Sequence, residues 1–140
     1  EGDYVRDVDL MFGVINAVQR AAQHAFFAAS AGGDLLMDVR ILPSRDTNQI
    51  VLTHARDSFG DARSTTMSTP GDLFAETFAP LDSLVPLGAP LLAVCADICN
   101  QLGQALGIPS FGYLDRNGEL VDGVWSPEDL ARIRAHMTLN

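Results

Sequence analysis

The sequence contains no lysine; all nine of its basic residues are arginine. A Schiff-base amine is therefore missing, which argues against pyridoxal phosphate chemistry. The phosphate-binding lysine of a P-loop or a protein kinase is missing too, and no GxxxxGK[ST] run occurs. No cofactor is expected. Long apolar runs are also lacking: the richest stretch, 12–31, is interrupted by Asn16, Gln19, Arg20, Gln23 and His24, whereas a membrane helix needs roughly 20 apolar residues in succession. Cysteine is scarce, with Cys95 and Cys99 the only two, and the three histidines are scattered at positions 24, 54 and 136. A structural zinc site draws on four ligands, often in paired clusters, so no metal site is expected.

Positive charge is in short supply. Eighteen acidic residues face nine basic ones, for a net charge of −9. Such a field repels phosphate backbones and anionic lipid, so neither nucleic acid nor a membrane surface is an expected partner. The imbalance is local as well: no arginine occurs from Ser64 to Asp115, while Asp72, Glu76, Asp82 and Asp97 lie there. That segment reads either as a docking surface for a basic partner or as an ordinary solvated face. The Ala- and Arg-rich, lysine-free composition is of a bacterial type. The compartment is open, with the cytoplasm as the expectation.

At 140 residues with 47% hydrophobic and 19% charged content, the chain matches a single α/β domain spanning 1–140. A long helix is expected over 9–31. Met11, Val14, Ile15, Val18, Ala22, Ala25 and Ala29 repeat at three- and four-residue spacing, with Asn16, Gln19, Arg20 and Gln23 opposite. Asp7 or Asp9 serves its first turn, and Gly32-Gly33 stops it. Residues 34–42 alternate, with Leu35, Met37, Val39 and Ile41 on one face and Asp38 and Arg40 on the other; 49–56 follows as an antiparallel neighbour. Residues 57–69 read as a long irregular loop. Thr69-Pro70-Gly71-Asp72 opens a helix to about Ala79, and Leu91–Val94 reads as a buried strand. Asp97 then caps a helix carrying Ile98, Leu102 and Leu106. Asn117-Gly118 marks a hairpin turn, and Ser126-Pro127-Glu128-Asp129 caps a last helix with Leu130, Ile133 and Met137 inward. The expected fold class is α/β (α+β), a mixed sheet with helices packed on it.

The run LLAVCADICNQLGQALGIPSFGYLDRNGELVDGVWSPEDLARI, within 91–137, resembles the second half of the thioredoxin fold. The resemblance implies a strand, a helix, an Ile-Pro step with a cis proline at Pro109, a hairpin and a terminal helix. The first half carries no Cys-x-x-Cys, so the family's redox function is not implied. The shorter string CADIC is similar to the Cys-Pro-Asp-Ile-Cys segment of Sco copper chaperones. In that family the ligand histidine is distant; His136 is the only histidine after the string here, and the activity is not carried over.

Four residues are catalytic candidates: Cys95, Cys99, His54 and Asp57. If Cys95 ends a strand and Cys99 sits in the first turn of a helix, the helix dipole favours a thiolate, and the pair suits thiol-redox or soft-metal chemistry. The alternative is two small core residues. His54 stands three residues before Asp57 and four before Ser58, the raw material of acid–base or nucleophilic catalysis, though no GxSxG elbow is present. Trp125 reads as a core anchor. The leading expectation is a non-catalytic binding or regulatory domain that recognises a protein or small molecule through Asp57, Phe59, Asp61 and Arg63 and the acidic middle segment. The second is a thiol-redox or metal-handling protein using Cys95 and Cys99.

Overall fold

A computed structural model describes residues 3–28, 32–40, 50–56, 62–67, 74–105 and 111–138. The chain is a mixed α+β protein. Its elements run β1 (Asp3–Arg6), α1 (Asp7–Gln23), a π-helical turn (His24–Ala28), β2 (Asp34–Arg40), β3 (Ile50–Arg56), β4 (Ala62–Met67), β5 (Phe74–Pro80), α2 (Leu81–Leu84), α3 (Ala89–Ala105) and α4 (Pro127–Thr138).

Among the described residues, five strands form two sheets. In the first, β3 pairs parallel with β1 and antiparallel with β4, with a register shift between His54 and Arg56. In the second, β2 and β5 pair antiparallel along their full length. Helix α1 contacts β1 and β3 of the first sheet and also α3, and α3 packs on β5 of the second. A helix pair therefore links the sheets, and among the residues whose burial is described the core is carried mainly by helix faces. Val8, Met11, Phe12, Val14, Ile15, Val18 and Ala22 of α1 meet Leu91, Leu92, Cys95, Ile98, Cys99 and Leu102 of α3 in one buried cluster, joined by Met37, Ala75, Leu81, Leu84 and Ile133.

Helix α1 follows its apolar spacing, with one departure: Gln19 is buried although it was placed on the polar side. The α-helix ends at Gln23, and the π turn after it leaves Phe26 and Phe27 exposed, edge to face at 5.0 Å. Asp7 accepts from the Val8 amide at 2.7 Å, in the role expected of it. Strand β2 alternates as expected, with Met37 buried and Leu35 and Val39 half-buried.

Several expectations are corrected. Strands β2 and β3 are not neighbours, because β2 takes β5 as its partner and β3 takes β1 and β4. The supposed loop contains a strand over Ala62–Met67, stabilised by its ladder to β3. Residues 74–79, expected to be helical, are extended in β5: Ala75 packs inward while Phe74, Glu76 and Phe78 project outward. Leu91–Val94 is helical, inside α3, because the apolar spacing continues through Cys95, Ile98, Cys99 and Leu102. Asp97 is accordingly an exposed mid-helix residue and not a cap.

The C-terminal hairpin and helix are present. Leu114 and Leu120 form an antiparallel bridge, and the Val121 amide donates to the Tyr113 carbonyl at 3.0 Å. The turn is not centred on Asn117-Gly118. The Gly118 amide bonds the Asp115 carbonyl, so Arg116 and Asn117 are the central residues and Gly118 follows with φ of 81°. The Asp115 carboxylate accepts from the Asn117 and Glu119 amides, which fixes the turn from inside. Gly118 lies against the backbone of Ala89 and Ala93, seating the hairpin tip on the start of α3. Ser126 caps α4 by accepting from the Asp129 amide at 3.1 Å. Ile133 is fully buried, but Met137 is exposed and does not join it. Of the pieces carrying the thioredoxin resemblance, the hairpin and terminal helix occur and the leading strand is helix instead; Pro109 lies outside the described residues.

Candidate functional site

Of the catalytic candidates from sequence, the two cysteines share helix α3. Cys95 and Cys99 lie well inside α3, with 0% and 1% of their surfaces exposed. Cys95 therefore neither ends a strand nor approaches a helix N-terminus, and Cys99 is not in a first turn. Both thiols are unbridged. Burial pushes the Cys95 thiol up to about 12 and raises Cys99 further, helped by its neighbour, the opposite of a reactive thiolate. His54 is in β3, where its register partner in β4 is Arg63. Asp57, Phe59 and Asp61 lie outside the described residues. Among the described residues, no three His, Cys, Asp or Glu side chains gather as metal ligands, and no helix is long and apolar enough to cross a membrane.

The strongest polar cluster ties α1, the hairpin and α4 together. The Tyr113 hydroxyl donates to Asp7 Oδ1 at 3.0 Å, and burial together with the Asp7 carboxylate raises the phenol above its ordinary range. Arg6 reaches Asp129 at 3.4 Å, and Arg132 reaches Asp9 at 3.3 Å while lying 3.9 Å over the Phe12 ring. Trp125 donates to the Tyr113 carbonyl and packs edge to face on Phe12 and Tyr113, the anchoring role expected of it. These contacts link β1, α1, the hairpin and α4, and the cluster works as a clamp.

The outer face of the β2–β5 sheet is different. Alternation places Leu36, Asp38 and Arg40 of β2 beside Phe78, Glu76 and Phe74 of β5, in that register. Leu36 and Phe78 are each 68% exposed and Phe74 is 50% exposed. Arg40 is occupied locally. It donates to both carboxylate oxygens of Asp38, at 3.1 and 3.0 Å, and stands 6.0 Å from the Phe74 ring centre. The hydrogen-bonded guanidinium holds the Asp38 carboxyl below its ordinary value. At the other end of the face, Leu36, Glu76, Thr77, Phe78 and Asp97 line an open groove of about 460 Å³.

That groove is held by a side chain of α3. Gln101 accepts from the Glu76 amide at 3.1 Å and donates to the Glu76 carbonyl at 3.0 Å and to Asp97 Oδ2 at 3.1 Å. The same amide thus fixes the backbone beneath one groove carboxylate and the side chain of the other. Exposed large apolar side chains grouped on one surface mark interaction sites more often than isolated ones do. Leu36, Phe74 and Phe78 were not among the residues singled out from sequence. One signal was available: Leu36 is an apolar residue on the face that β2 otherwise gives to Asp38 and Arg40. Phe74 and Phe78 were hidden by the helical reading of their segment.

No protein-family model, curated protein or solved structure matches the chain.

Proposed function

We propose that this protein is a non-catalytic binding domain that docks a protein partner on the outer face of β2 and β5. The observation carrying this reading is the exposed trio Leu36, Phe74 and Phe78 beside an open groove, on a sheet whose other face is packed on α3. An open groove suits a polypeptide segment better than a small molecule, which is usually held in a concave, enclosing pocket. The β2–β5 face takes in Glu76 and Asp97 of the acidic middle segment expected to make contact, while the expected loop residues Asp57, Phe59 and Asp61 lie outside the described residues. Thiol-redox or metal-handling chemistry at Cys95 and Cys99 is disfavoured by their burial and raised pKa values.

Site-specific photo-cross-linking tests the docking reading. A photoreactive phenylalanine analogue is placed at Phe74 and, in a separate protein, at Val124, which is also exposed. In cells of the source organism, a discrete heavier product from position 74 alone supports the reading. Products from both positions, or from neither, count against it.

A further inference from the structure

We infer that the segment received by this groove is cationic and carries an apolar anchor, and that it belongs to another protein and not to a second copy of this chain. The inference rests on reading the β2–β5 face as a docking surface. Leu36 and Phe78 are register partners, so their side chains stand together as an apolar floor. The two ionisable groups lining the groove, Glu76 and Asp97, are both carboxylates, and none of its lining groups is basic. Arg40, the one cation on the two strands, is engaged by both oxygens of Asp38 and by Phe74, away from the groove lining. The sequence places no arginine from Ser64 to Asp115, so β5 and α3 bring none.

An incoming leucine-like side chain against Leu36 and Phe78 would set an adjacent arginine within reach of Glu76 and Asp97, where charge-assisted hydrogen bonds are available. The Gln101 amide holds Asp97 and the Glu76 backbone in place beforehand, so less ordering is needed on docking. A second copy brings the same −9 charge and the same acidic rim, and like charges facing each other oppose that association.

The test uses the full chain and three labelled peptides, read by fluorescence anisotropy. One is built of leucine and arginine; the others replace arginine by glutamine or by glutamate. The arginine peptide is expected to bind tightest. Raising salt to about 1 M, where screening acts over roughly 3 Å, should weaken it at least about fivefold. Glu76→Gln and Asp97→Asn should each weaken it about two- to fivefold, as exposed ion pairs do. Phe78→Ser should weaken it roughly tenfold or more. Asp122→Asn and Glu128→Gln, which remove exposed charge elsewhere, should leave it unchanged.

Equal binding of all three peptides overturns the cationic assignment. So does equal weakening by the distant substitutions, which makes the attraction one of net charge. If no peptide binds while the Phe74 cross-link still forms, the assignment fails and the docking face stands. If the arginine peptide binds but Phe78→Ser has no effect, both readings fail together.

Discussion

The side chain of Gln101 occupies both backbone hydrogen-bonding groups of Glu76, accepting from its amide and donating to its carbonyl. A helix residue thus takes the place that a neighbouring strand would fill on the edge of β5 away from β2. The outward edge of a two-stranded sheet ordinarily leaves such groups to water or to another chain.

Gln101→Ala removes both bonds and is expected to destabilise the fold by about 1–2 kcal/mol, a moderate value because the site is only half-buried. Denaturant unfolding gives the stability, and hydrogen exchange gives a local readout. The Glu76 amide should lose protection far more than amides in the middle of α1. Unchanged Glu76 protection would show that the contact contributes nothing.

Gly118 and Gly123 share a positive φ, 81° and 83°, but only Gly118 has backbone within contact of an added Cβ, at Ala89 and Ala93. Gly123→Ala should cost about 1 kcal/mol, the conformational penalty alone. Gly118→Ala adds a collision with the first turn of α3 and should cost more than about 2 kcal/mol. Comparing the two melting temperatures separates backbone strain from close approach. Equal losses would mean that the hairpin tip does not seat on α3.

Alkaline pH should unfold the protein early. Cys95 is raised from 9.0 to about 12 by burial, and Cys99 and Tyr113 shift in the same direction. The stability that the neutral Cys95 thiol allows is complete below pH 9, where both states are protonated. Above pH 9 the unfolded chain loses the proton and the folded chain keeps it, so stability falls by about 1.4 kcal/mol per pH unit for each buried thiol. The loss continues until the folded thiol ionises. Urea midpoints measured from pH 7 to 10.5 should fall, and Cys95→Ala should flatten the decline. At pH 8, alkylation of either cysteine should proceed only as fast as the protein opens; rapid labelling of the native state would contradict the buried placement.

Tyr113→Phe removes the hydroxyl that donates to Asp7 while keeping the ring against Trp125. A loss of about 1–2 kcal/mol is expected, because the acceptor is a carboxylate. Thermal unfolding at neutral pH measures it, and a change below about 0.3 kcal/mol would show the clamp to be dispensable.

Much of the helical frame was legible in the sequence. The apolar stripe of α1, the alternation of β2, the Asp115–Gly118 turn region and the Ser126 cap all depend on neighbours within a few residues, and these appear in the structure. The failures share another cause. Strand β5 is extended because it pairs with β2, a partner distant in sequence, while the cap-like Thr69-Pro70-Gly71-Asp72 pointed locally to a helix. Leu91–Val94 is a four-residue apolar run, too short for periodicity to separate strand from helix; the continuing stripe to Leu102 was the better guide. The exposed apolar face of β2 and β5 escaped for the same reason. Leu36 and Phe78 become neighbours only through the register of two strands, whereas the acidity around Glu76 and Asp97 was visible as a missing run of arginine.

The stopper at the edge of β5 also limits self-assembly. A ribbon that lengthens indefinitely must accept a new strand at each end, and a subunit sealed on one side has only one end to offer. Copies of this chain meeting through these strands would therefore find the β5 edge interrupted at Glu76, which hinders growth beyond a pair. Opening the seal, as Gln101→Ala does, would remove that block on fibril growth at high concentration.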